Sequence, residues 1–151
     1  SGARLNEVTS LTLDDVDLQA GVVRVVGKGS RPRFVPIGAK TAKAIDRYLR
    51  VRMRHPAAGT SGLWLGHKGA LTDSGMFQVI QRRGKEVGLD LHPHLLRHTA
   101  AHRWLAADGS EGDLMGIMGW RSRQMLARYG ASAAQERAIA AHKRMGLGDR
   151  F

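Results

Sequence analysis

Two runs of β-branched residues, VVRVV at 22–26 and RFVPI at 33–37, flank the turn-rich hexapeptide GKGSRP at 27–32. β-Branched side chains are stiff at χ1 and pack well on a pleated surface, while glycine and proline between them reverse the chain. The two runs therefore read as a β-hairpin. LTLDDVDL at 11–18, separated from the hairpin by Gly21, reads as a third strand beside it. After Gly38 the period changes: Ala42, Ile45 and Leu49 recur at helical spacing with Lys and Arg between them. Strands followed by helices make the chain α+β, mostly helical, with a small three-stranded antiparallel sheet.

The helical half is punctuated by short turns. A first helix is expected from Gly38 to Arg54, and HPAAGTSG at 55–62 reads as a loop before the short apolar LWL. Phe77, Ile80 and Val87 mark a second helix, with Thr72 or Asp73 as its cap. Pro93 suits the start of a third, whose apolar side is Leu96, Ala100 and Trp104. ADGS ends it at 107–110, and Ser110 caps a fourth carrying Leu114, Ile117 and Met118, with Gly116 weakening the helix. Ser122 caps a fifth ending near Gly130, and Ser132 with Gln135 forms a capping-box pattern for a separate last helix.

At 151 residues the chain is long enough for one domain with a core. It has no apolar run long enough to span a bilayer, and SGARLNEVTS lacks the apolar stretch of a signal peptide. The absence of cysteine fits a reducing compartment, so a cytoplasmic location and no membrane partner are expected. Lys and Arg number 24 against 13 Asp and Glu, a formal charge of +11, which points to a polyanion such as nucleic acid. Aromatics are only 5%, too few for a platform that stacks single-stranded bases.

Three stretches carry candidate chemistry. HPHLLRH at 92–98 sets His94 and Arg97 three apart, side by side on one helical face, where two cations would repel unless an anion belongs between them. Arg97 offers a bidentate fork for phosphate oxygens, with His94 as a proton carrier beside it. His94, His98 and His102 also step by four, a spacing compatible with zinc, although no cysteine or HExxH pattern supports it; surface or capping histidines are the plain alternative. Lys28 in the hairpin turn reads as a solvated lysine or as a mobile one that reaches into a groove; the P-loop pattern fails in spacing and context. In GWRSRQMLARYG at 119–130, Trp120 and Tyr129 fall near expected helix ends. They either pack in the core or, with Arg121, Arg123 and Arg128 nearby, leave a tyrosine drawn toward phenolate.

Together these pieces resemble the catalytic domain of the tyrosine recombinases, the phage-integrase family. SGARLNEVTSLTLDDVD looks like the family's G-x-R-x-x-E-x-x-x-L segment, which would make Arg4 the first catalytic arginine and Glu7 its supporting carboxylate. GKGSRPRFVPI resembles the hairpin bearing the catalytic lysine, here Lys28. PHLLRHTAAH matches the His-x-x-Arg motif at His94 and Arg97, followed by His98 as a supporting residue. IMGWRSRQMLARYG resembles the closing motif, with Trp120 nine residues before the nucleophile Tyr129; most members have histidine at the position of Trp120.

The resemblance implies a site-specific recombinase or integrase that cuts and rejoins double-stranded DNA through a 3′-phosphotyrosyl link. It implies neither cofactor nor metal, and a homotetramer on two DNA sites in the full-length protein. Residues 1–151 would be the catalytic domain, lacking its first helices and the N-terminal DNA-clamping domain. The last helix would dock on a neighbouring protomer or fold back on its own domain. A type IB topoisomerase-like enzyme and a non-catalytic DNA-binding relative remain the alternatives.

Overall fold

The computed structural model describes residues 1–27 and 31–146, without the side chains of 130–133 and 136. The chain opens with a short helix, α1 (Leu5–Thr9), and a three-stranded antiparallel sheet in the order β1 (Val16–Asp17), β2 (Val22–Val26), β3 (Pro32–Pro36). The hairpin lies where the β-branched runs put it, with Val23 opposite Val35 and Val25 opposite Arg33. Alternation sends Val23, Val25 and Val35 into a core with Leu11 and Leu63. The expected first strand is mostly not a strand. Thr12 and Asp15 turn the chain, Asp15 accepting from the Thr12 N–H at 2.9 Å, so Leu13–Asp15 forms a 3₁₀ turn and only two residues pair with β2.

α2 (Ala39–Arg52) follows, burying Ile45, and its last residue is a buried arginine. The Arg52 guanidinium donates to the carbonyls of Ala58, Thr60, Gly62 and Leu63, so this one charge gathers the whole 58–63 loop. A two-stranded ribbon, β4 (Leu65–Gly66) and β5 (Gly69–Ala70), leads into α3 (Asp73–Glu86), capped by the Thr72 hydroxyl rather than by Asp73. Val87 is exposed at the C-cap and is not part of the apolar face.

α4 (Pro93–Ala106) starts at Pro93 as expected, with His92 as its cap; the Leu95 N–H donates to His92 Nδ1 at 3.2 Å. Its buried line is Arg97, Ala101 and Leu105. Leu96 is 44% exposed, while Ala100 and Trp104 are only partly buried at the edge of the core, so the helix is turned by about one residue from the sequence expectation. α5 (Glu111–Met118) is capped by Ser110 and buries Leu114 and Met118. The fifth and sixth expected helices are one: α6 runs from Arg123 to Met145, through Gly130 and Ser132. A glycine in a helix interior costs about 1 kcal/mol. Good helix formers on both sides and packing along α4 outweigh that cost. Arg137 pairs with Glu111 at 3.4 Å and Arg144 pairs with Asp108, so α6 folds back on its own domain. Ala138 sits in the cleft between α6 and the end of α4, while Ile139 is half exposed. No helix among the described residues is long and apolar enough to cross a membrane.

Candidate active site

Arg4 stands at the N-cap of α1, and Glu7, one turn later, reaches back to it. The Arg4 N–H donates to Glu7 Oε2 at 2.8 Å and its guanidinium to Oε1 at 2.9 Å. The Glu7 side chain is fully buried, whereas that of Arg4 is 41% exposed and free to face a ligand. A third group completes this network, one the sequence motifs do not single out. Arg33 on β3 donates two parallel hydrogen bonds to Glu7, both 2.8 Å, and its Nε donates to the Ile117 carbonyl at 2.9 Å. Burial pushes the Glu7 carboxyl up. The Arg33 fork, the Arg4 N–H and the Arg4 guanidinium outweigh burial and hold the pKa at about 2.

On α4, His94 and Arg97 open on the same cleft, as their spacing predicts. Their environments differ. His94 is exposed, and Arg97 is 4% exposed and tied to the backbone, donating to the Met118 carbonyl at 2.7 Å and to that of Gly2. Burial first, and then the nearby Arg4, push the Arg97 pKa down; an arginine nonetheless stays charged at neutral pH.

Tyr129 lies in the interior of α6, 8% exposed, and not at a free helix end. Its ring packs between two others, with centroids 4.1 Å from His98 and 4.9 Å from Trp120. The Arg97 guanidinium carbon lies 5.5 Å from the Trp120 ring centroid. The indole is buried behind Tyr129, and its Nε1 finds no acceptor among the described protein groups. Burial first, and then the neighbouring Arg128, His94 and His92, push the His98 imidazole below its ordinary pKa.

Arg4, His94, Arg97 and Tyr129, drawn from three separate stretches of sequence, thus line a single cleft of about 370 Å³. Two arginines, an imidazole and a phenol share this opening with the Asp73 carboxylate; guanidinium forks can bind phosphate oxygens, and a phenol can act as a nucleophile. Trp120 packs behind this lining. Lys28 lies outside the described residues, but the hairpin stem that carries it does not, and Gly27 sits against the Glu7–Arg33 pair. His94, His98 and His102 form no metal-ligand group; among the described residues no three His, Asp or Glu side chains come together in that way.

Comparison with known proteins agrees with this geometry. The chain is 37% identical over 121 residues to a tyrosine recombinase XerC from Actinobacillus pleuropneumoniae serotype 7, covering 79% of this chain and 40% of that protein. It is 43% identical over 108 residues to the XerC of Azotobacter vinelandii, covering 70% and 36%. The chain therefore spans well under half the length of these relatives. The crystal structure of XerA recombinase superposes with a TM-score of 0.80 over 99% of this chain and 54% of that one, at 26% identity. XerH recombinase bound to a palindromic difH substrate shares the fold, with a TM-score of 0.77 over 93% and 42% at 24% identity. The phage integrase family profile matches residues 1–136, which include Arg4, His94, Arg97 and Tyr129, and on that match the chain belongs to the phage integrase family.

Proposed function

We propose that this chain is the catalytic part of a site-specific DNA recombinase that cuts and rejoins duplex DNA. The observation that carries the reading is the cleft lined by Arg4, His94, Arg97 and Tyr129. The Tyr129 phenolic oxygen attacks the scissile phosphorus, forming a 3′-phosphotyrosyl bond as the bond to the 5′-oxygen breaks. Arg4 and Arg97 bind the nonbridging oxygens where negative charge gathers, and the Trp120 N–H, which has no acceptor among the described residues, is a further donor. His94 takes up the phenolic proton or donates to the phosphate, and Lys28 gives a proton to the departing 5′-oxygen. Attack by a 5′-hydroxyl from a second strand reverses the step without ATP, because the phosphotyrosyl bond keeps the energy of the diester.

The formal charge of +11 favours binding through phosphates, so affinity falls steeply with salt. Exchange between duplexes calls for four copies on two DNA sites. The XerH relative, whose structure is of a post-cleavage complex with its difH substrate, is consistent with this chemistry. The test uses a pool of nicked duplexes with a randomised centre, from which a cut 5′ fragment diffuses away. Wild-type protein is expected to retain DNA through SDS, attached at the 3′ end, and Tyr129→Phe to retain none. Chelator should leave the yield unchanged, since the arginines supply the positive charge a metal would bring. DNA binding without any Tyr129-dependent adduct would favour a non-catalytic DNA-binding relative.

A further inference from the structure

Arg33 lies in the hairpin segment but is not a residue that the motifs single out, yet it links α1, the hairpin and the end of α5. Its fork closes on Glu7, which in turn holds Arg4. Its Nε donates to the Ile117 carbonyl at the end of α5, three residues before Trp120. At Gly119, whose φ of +63 favours glycine, a Cβ would lie 3.1 Å from the Arg33 guanidinium, so the turn and Arg33 pack closely. On the hairpin side, a Cβ at Gly27, the residue before Lys28, would lie 3.3 Å from Glu7 Oε1 and 3.5 Å from Arg33 Nη1. The Arg33 side chain is 15% exposed and is not among the residues that line the cleft.

We infer that Arg33 is the positioning residue of this site, a single guanidinium that, anchored on the Ile117 carbonyl, aims Arg4 through Glu7. The inference rests on the DNA-cleavage reading for its catalytic consequence, but the grip on Glu7 can be read without any cleavage. Three of its donors are used, in a fixed planar geometry that one ammonium cannot reproduce. A reacting group displaced by about 1 Å loses roughly a hundredfold in rate, and that is the scale expected when the fork is removed.

The test compares Arg33→Lys, Arg33→Gln, Glu7→Gln and the double variant Glu7→Gln/Arg33→Gln. With ¹³C-labelled glutamate, Glu7 should titrate at about 2 in the wild type and distinctly higher in Arg33→Gln. Adduct formation on the nicked pool should fall by about a hundredfold in Arg33→Gln with DNA affinity unchanged, and should gain an acidic limb at the raised Glu7 pKa. Arg33→Lys should rescue poorly. The double variant should be no slower than Glu7→Gln and show no acidic limb, because Arg33 acts through Glu7. Should Arg33→Gln fail to fold, Arg33→Lys carries the same comparison. An unmoved Glu7 titration, or rate losses from Glu7 and Arg33 that simply multiply, would overturn the inference. A wild type that forms no Tyr129-dependent adduct counts against the DNA-cleavage reading instead, while the Glu7 titration still decides whether Arg33 holds Glu7.

Discussion

The ring of Tyr129 lies on that of Trp120 with their centroids 4.9 Å apart and their planes tilted by 31°, so the phenol is held by packing on the indole. Removing the hydroxyl alone should leave this packing in place. Tyr129→Phe is expected to melt within a few degrees of wild type and bind DNA within a few fold, yet form no covalent adduct. An adduct surviving in this variant would take the nucleophile away from Tyr129.

Trp120→Phe separates packing from hydrogen bonding at the same spot. The buried Nε1 has no acceptor among the described residues, and an unsatisfied buried donor costs about 1–3 kcal/mol. Phenylalanine relieves that cost and gives up some packing area, so the melting temperature should stay close to wild type. If the indole N–H donates to the phosphate as charge develops, single-turnover cleavage should fall by about a hundredfold. A wild-type rate would confine Trp120 to a packing role.

Arg4 and Arg97 should differ on substitution, although both line the cleft. Alanine at either should slow cleavage by about a hundredfold or more. Arg97→Ala also strips donors from the Gly2 and Met118 carbonyls beneath the surface, at a cost to folding of about 1–3 kcal/mol. Arg4→Ala leaves Glu7 still paired with Arg33, so its loss of stability should be smaller. Urea unfolding of the two variants checks the contrast, and equal losses would contradict it.

Glu7 predicts an acid dependence of stability. Its folded pKa of about 2 lies below the ordinary 4.5, so the carboxylate stabilises the fold fully above pH 4.5. That contribution, about 3 kcal/mol, is lost as pH falls from 4.5 toward 2. Glu7→Gln should be less stable than wild type at neutral pH and should lose this part of the acid dependence. Denaturant melts at several pH values would show it, and parallel curves for the two proteins would refute it.

Local pattern was enough for the hairpin, for α2, for the caps at Thr72 and Ser110, and for the start of α4 at Pro93, because β-branched runs, turn glycines, capping hydroxyls and proline act within a few residues of themselves. The His94–Arg97 spacing likewise carried the shared face of those two residues, since a helix fixes it. Only tertiary structure decided the rest. α4 turns to bury Arg97, because the backbone carbonyls of Gly2 and Met118 come from 95 and 21 residues away to receive it. α6 continues through Gly130, because packing along α4 offsets a local helix-breaking signal. No sequence motif singles out Arg33 or Arg52. The first becomes a half-buried hub and the second a buried one only when folding brings a carboxylate 26 residues distant to Arg33 and four loop carbonyls to Arg52. A buried guanidinium is stable only when its donors are met, and the groups that meet them here are set by the path of the whole chain.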